Sequence, residues 1–222
     1  MAKKVCVILS GCGYLDGAEI HEAVCTLLAL EQHGAAWSAC APNVKFEVVD
    51  HNTGEPTGEQ RNAIAESSRI SRGECRDIKD VRHDAFDALV MPGGFGAAKN
   101  LSNFASAGKN AEPHPEVARL ISEFITHKKP IGAICIAPAT LATVLSQRDI
   151  LAKLTVGNQT DHAEPVQAIR DLGIEHVDCA VEDAVLDETH KIASTPAYML
   201  GPSVLPVSKG IEKVVAAVLK WA

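Results

Sequence analysis

Short runs of β-formers alternate with amphipathic helical stretches along almost the whole chain, and that alternation admits little besides a parallel sheet flanked by helices. Val5–Leu9 reads as a first buried strand. The glycine-rich turn Ser10-Gly11-Cys12-Gly13 leads from it to a helix over Ala18–Gln32, where Ile20, Val24, Leu27 and Leu28 fall on one face and Gly34 supplies the stop. Ala36–Ala41 is a second strand and Val44–Val49 a less regular one, followed by the turn Asp50-His51-Asn52-Thr53-Gly54. Thr57–Arg69 reads as a polar helix, and Phe86–Met91 as a strong buried strand running into Pro92-Gly93-Gly94-Phe95-Gly96.

The polar segment Lys99–Pro115 is long for a loop in a compact domain, and such loops are usually functional or mobile. Its position directly after the glycine run predicts a place at the mouth of a site. Val117, Leu120, Ile121, Phe124 and Ile125 give the spacing of a core-facing helix. Strand and helix follow again at Pro130–Ile134 and Pro138–Leu145, and Leu154–Val156 is a short strand. Glu164–Leu172 is a helix closed by Gly173. Ala184–Leu186 with Lys191–Ala193 forms a hairpin, and Ile211, Val214, Val215, Val218 and Leu219 mark a last core-facing helix. No repeat or linker divides the chain, so one domain over residues 1–222 is expected, built as a flavodoxin-like three-layer α/β/α sandwich.

Composition narrows the function classes. At 222 residues, with 46% hydrophobic and 22% charged, the chain can bury a full core without metals or disulfides. A formal charge of −7 argues against nucleic acid or an anionic membrane as partners. No apolar run reaches the roughly 18 residues of a membrane span. Cys6, Cys12, Cys25, Cys40, Cys75, Cys135 and Cys179 are widely spaced, with no Cys-x-x-Cys pair and no zinc-type Cys/His cluster. Free thiols in a reducing cytoplasm, and no metal, follow as expectations.

Ligands of open α/β sheets bind beyond the carboxyl ends of the strands. Gly11–Gly17, Pro92–Gly96 and Cys135 all fall at such ends. Cys135 lies at a surface-facing bend before a helix whose first-turn proline, Pro138, is tolerated there. Unpaired N–H groups and the dipole at a helix start favour an anion. A thiol of pKa about 8.5 is roughly 3% ionised at pH 7, and one lowered to about 6 is roughly 90% ionised. The same bend offers oxyanion donors in the N–H groups of Gly93, Gly94 and Ile136. Most free cysteines are simply small buried hydrophobes. Cys12, in a glycine turn at the same edge, is the other thiol of interest. Glu19 and Glu22, three apart near the start of the first helix, are equivalent on spacing alone.

Ser10–Ala23, Met91–Ser102, Gly132–Pro138 and Thr195–Met199 together resemble the ElbB family of the ThiJ/PfpI superfamily, which has the class I glutamine-amidotransferase-like fold. The likeness spans about Val5 to Leu219. It implies that Cys135 is the nucleophile, that Glu22 rather than Glu19 is the carboxyl hydrogen-bonded to the sulfur, and that Gly93, Gly94 and Ile136 are the oxyanion donors. It implies a glyoxalase converting glyoxal to glycolate with no cofactor, or a protein or small-molecule deglycase using the same cysteine. A homodimer is expected from superfamily habit.

Departures from the superfamily matter too. Ala133 and Ala137 stand where amidotransferases have glycine, Ile136 where the proteases have histidine, and Gly157-Asn158-Gln159 where many deglycases have histidine. Glutaminase and peptidase activities are thereby disfavoured, and an enzyme lacking the usual imidazole base would turn over slowly. A cysteine-based redox sensor or chaperone-like protein is the alternative from another class.

Overall fold

The computed structural model describes residues 2–222. Eleven strands and eight α-helices alternate along them. The main sheet is built from β1 (Lys4–Ile8), β2 (Ala36–Ala41), β5 (Cys75–Asp77), β6 (Ala88–Met91), β7 (Ile131–Ile134), β10 (Val185–Asp187) and β11 (Ile192–Thr195). Its order is β10-β11-β7-β6-β1-β2-β5, and every pairing is parallel except β10 with β11. The middle strands are fully buried, β6 and β7 as apolar runs and β11 with Ser194 and Thr195 at its end, as expected of a parallel sheet covered on both faces. The α/β class and its layered arrangement are therefore as the sequence indicates.

α1 (Ile20–Gln32) and α8 (Val204–Trp221) pack together on one side. α5 (Pro115–Thr126) and α6 (Ala137–Ser146) pack together elsewhere, α6 against β7. Gly132 in β7 brings α8 close: a Cβ there would lie 2.9 Å from a Val214 methyl. Most of the buried apolar side chains form one contiguous cluster, with Phe46 and Val48 of the β3 hairpin region outside it. No helix among the described residues is long and apolar enough to cross a membrane.

Three segments depart from the sequence reading. Only the second half of Thr57–Arg69 is helical: β4 (Pro56–Asn62) pairs antiparallel with β3 (Lys45–Val49), and α2 covers Ala63–Ile70. Pro56, Thr57 and Gly58 are poor helix formers, and the Asn62 side chain caps α2 by accepting from the Ile64 and Ala65 N–H groups. The Ile20, Val24 and Leu28 face of α1 is exposed. The buried face carries Glu22, Ala23, Thr26, Leu27 and Leu30 instead, so a carboxylic acid enters the interior where a hydrophobe was expected. The segment 99–115 is not unstructured. It contains α4 (Phe104–Ala107) and a 3₁₀ turn (Gly108–Asn110), tied back by the Ser102–Pro113 bridge. The remaining elements are α3 (Phe95–Lys99), α7 (Ala163–Asp171), β8 (Lys153–Leu154) and β9 (Glu175–His176).

Candidate active site

β6 lies between β1 and β7, so the loops after these three strands meet at one carboxyl edge of the sheet. The strand order reverses between β1 and β6, the usual place for a ligand in such sheets. The loop after β1 and the Gly94–Gly96 turn stack on each other: the Gly96 N–H donates to the Gly17 carbonyl at 2.9 Å, and the Glu19 N–H to the Gly93 carbonyl at 3.0 Å.

Cys135 ends β7. Its N–H donates to the Thr195 carbonyl at 2.9 Å, continuing the ladder with β11, and its φ of 61° then turns the chain into α6. A side-chain-bearing residue held in the left-handed region costs energy that the surrounding structure must offset, and such residues cluster at active sites. The bend is not surface-facing as expected: Cys135 is only 6% exposed, because α6 behind it is buried along almost its whole length. The N–H groups of Gly94 and Ile136 donate to the sulfur.

Of the two acidic candidates, Glu22 is the one at the sulfur. It is fully buried and hydrogen-bonded to Cys135. One carboxyl oxygen, Oε2, accepts the Gly93 N–H at 3.0 Å, and the other, Oε1, accepts the Tyr198 N–H at 3.2 Å. Glu19 instead caps α1, accepting the Glu22 N–H at 2.6 Å. Gly93 is thus placed differently from Gly94 and Ile136. Its N–H orients Glu22 and does not point into open space, and a Cβ there would lie 2.4 Å from the Cys135 Cβ. Gly94, with φ of 88° and only 2.4 Å of room to the Glu19 nitrogen, must be glycine for both conformation and space.

Burial, with the negative Glu19 beside it, pushes the Glu22 carboxyl up to about 8, so it is protonated at pH 7. The thiol does not follow the helix-end expectation. Burial raises it well above the ordinary cysteine value and the Glu22 charge adds to that, while the Gly94 and Ile136 N–H groups pull the other way. Burial of the sulfur among protein atoms outweighs those two donors. The two groups titrate as a pair, and with Glu22 neutral its O–H becomes a third donor to a thiolate.

The sulfur opens onto a cavity of about 790 Å³. Phe104–Gly108 forms one wall, so the polar segment does stand at the site, and the start of α7 forms another. His162, just before α7, lines the same cavity and was missed in the sequence. The superfamily's imidazole position, directly after the next strand, is Gly157-Asn158-Gln159 in this chain. The Asn158 carbonyl and side chain close a turn with the His162 and Asp161 N–H groups, which returns the chain to the cavity a few residues later. The His162 Nε2–H donates to the Met199 carbonyl, leaving Nδ1 with the ring's lone pair when neutral. Cys12 is not among the cavity-lining residues, and burial together with Glu66 raises its thiol. Among the described residues no three His, Cys, Asp or Glu side chains are grouped as metal ligands.

Residues 3–165 match the profile of the DJ-1/PfpI family. The chain belongs to that family. It is 40% identical to the human glutamine amidotransferase-like class 1 domain-containing protein 3, mitochondrial, over 99% of this chain and 83% of that one. It is 33% identical to the zebrafish (Danio rerio) ES1 protein, mitochondrial, over 88% and 76%. A crystal structure of an isoprenoid biosynthesis protein with amidotransferase-like domain from Ehrlichia chaffeensis superposes with a TM-score of 0.90 at 39% identity, covering 99% of this chain and all of that one. Drosophila DJ-1beta shares the fold at 20% identity and a TM-score of 0.52. The resemblance therefore holds at the level of DJ-1/PfpI family and amidotransferase-like fold, a superfamily that includes enzymes and cysteine-dependent members. The cytoplasmic expectation is overturned: the curated relatives are mitochondrial proteins, and cysteine spacing reports a reducing environment without naming the compartment.

Proposed function

We propose that the protein is an ElbB-like, cofactor-independent glyoxalase that converts an α-dicarbonyl to the corresponding α-hydroxy acid, glyoxal to glycolate being the simplest case. The observation that carries this reading is the Cys135–Glu22 pair at a cavity edge, a nucleophile hydrogen-bonded to a carboxyl group that burial keeps protonated at neutral pH. A neutral acid beside a sulfur suits a reaction that must both give and take protons.

The steps balance without an external oxidant. The Cys135 sulfur adds to an aldehyde carbon, its proton leaving to His162 Nδ1, while the C=O π pair moves onto oxygen. The oxygen is stabilised by the Gly94 and Ile136 N–H groups and takes a proton from Glu22. Carboxylate Glu22 then removes the hydrogen on the sulfur-bearing carbon while the second oxygen takes the proton held by His162, which gives a neutral enediol. The Glu22 proton exchanges with solvent and is delivered to the neighbouring carbon as the first hydroxyl gives its proton back to His162. One carbon is oxidised to a thioester and the other reduced to an alcohol. Water cleaves the C–S bond and restores the thiol, the proton of the released hydroxy acid returns Glu22 to its neutral form, and His162 gives its proton to solvent. In this reading His162, on the same cavity, is assigned the part of the superfamily's imidazole. A deglycase would use the same sulfur on a glycated amine or thiol. A cysteine-based redox sensor would use the same sulfur and the same N–H groups, and dicarbonyl turnover is what separates the two readings.

Glyoxal turnover in D₂O, followed by NMR, tests the reading. Glycolate carrying solvent deuterium at its CH₂ supports an enediol exchanging with the Glu22 proton. Glycolate formed with no deuterium would indicate direct hydride transfer, and no glycolate at all would reject the glyoxalase.

A further inference from the structure

The cavity is far larger than the substrate that names the reaction. Glyoxal has four non-hydrogen atoms at roughly 20 Å³ each in a packed interior, so it would fill about a tenth of 790 Å³. Protein pockets of 300–1,000 Å³ usually hold drug-sized ligands. The lining is chemically one-sided. Phe95, Phe104, Met199 and Ala168 present apolar surface, while the ionisable acids are Glu19 inside and Glu164 toward solvent. Among the described residues no lysine or arginine lines it. Lys99, whose ammonium lies 5.5 Å from the Phe95 ring centroid, is engaged with the Leu15 carbonyl at 3.1 Å.

Resting on the dicarbonyl reading, we infer that the preferred substrate is an α-ketoaldehyde with an aryl-sized apolar arm and no negative charge. The arm would occupy the space between Phe104 and Ala168, leaving the aldehyde at Cys135. A carboxylate or phosphate on it would meet Glu19 inside the cavity and Glu164 at its mouth, with no lysine or arginine to pair it and His162 cationic only while it holds the thiol proton. Phenylglyoxal is the simplest probe. It would follow the steps given above, gaining one water to become mandelate.

Two measurements test this separately from the chemistry. In kinetics, kcat/KM for phenylglyoxal should exceed that for 4-carboxyphenylglyoxal at least tenfold, with KM for phenylglyoxal at least tenfold below that for glyoxal. Ala168→Phe should narrow the KM gap between phenylglyoxal and glyoxal at least tenfold. In protection, acetophenone and benzylamine should slow iodoacetamide alkylation of Cys135, and benzoate should not. If no dicarbonyl is turned over but this protection pattern appears, the glyoxalase reading fails while the ligand class stands. If glyoxal is turned over with a KM equal to or below that of phenylglyoxal, or if the carboxylated compounds perform as well as their neutral counterparts, the ligand class is overturned. Failure of all three aromatic probes to protect also overturns it.

Discussion

Cys12 and Cys135 both follow buried strands of one sheet and lie at the same carboxyl edge, yet they occupy opposite chemical settings. At Cys135 the backbone turns at φ 61°, two N–H groups converge on the sulfur, and a carboxyl able to donate a proton stands beside it. At Cys12 the neighbouring charges are Glu66, Arg69 and Asp16, none of them on the cavity, and the thiol is half-buried. Burial raises the pKa of both thiols. Reactivity is therefore decided less by how acidic the resting thiol is than by what stabilises the anion once it forms, and only Cys135 has that support.

The sharpest way to break the comparison is Cys135→Ser, which keeps shape but replaces the nucleophile. Dicarbonyl conversion should fall at least about 10³-fold in steady-state assays. Gly94→Ala comes next, since it forces a side chain into a φ of 88° with 2.4 Å of room. It should lower both activity and stability, the latter by more than about 2 kcal/mol in denaturant titration.

Glu22→Gln should reduce kcat about 10²-fold and move the pH profile of Cys135 alkylation to lower pH, because the charge that raises the thiol is gone. It also has a stability signature. Glu22 keeps its proton in the fold up to about pH 8 but releases it near its ordinary 4.5 when unfolded. The folded state thus binds more protons between these values, and wild-type stability should fall as pH rises through that window, by at most about 1.4 kcal/mol per unit. The glutamine variant should show a flatter slope in melts at pH 5 and pH 8. Cys12→Ser should have the smallest effect, with activity within about twofold of wild type.

Strand runs such as Val5–Ile8, Ala88–Met91 and Ile131–Ile134 were legible because complete burial leaves an unbroken apolar signal. The β3–β4 hairpin was not, since the strand character of Pro56–Asn62 comes from pairing with β3 rather than from its own residues. On α1 the periodicity points to Ile20, Val24 and Leu28, but the face that packs inward carries Ala23, Leu27 and Leu30, with Glu22 among them. Spacing could not separate Glu19 from Glu22 either. Family resemblance did, and the hydrogen bonds to Gly93 and Tyr198 give the physical reason. His162 escaped notice because its place depends on the turn at Asn158–Asp161, which adds residues between strand and imidazole. The thiol's pKa direction was misjudged because helix-end geometry can be read from sequence, whereas the depth of burial cannot.

The most direct test of the Cys135 assignment is to follow [¹³C₂]glyoxal by NMR with wild type and Cys135→Ala at matched concentration, recording the melting transition of each. Wild type should form glycolate saturably, and a variant that melts cooperatively and is folded at the assay temperature should form none above background. Glycolate produced at a comparable rate by the folded Cys135→Ala protein would contradict the assignment.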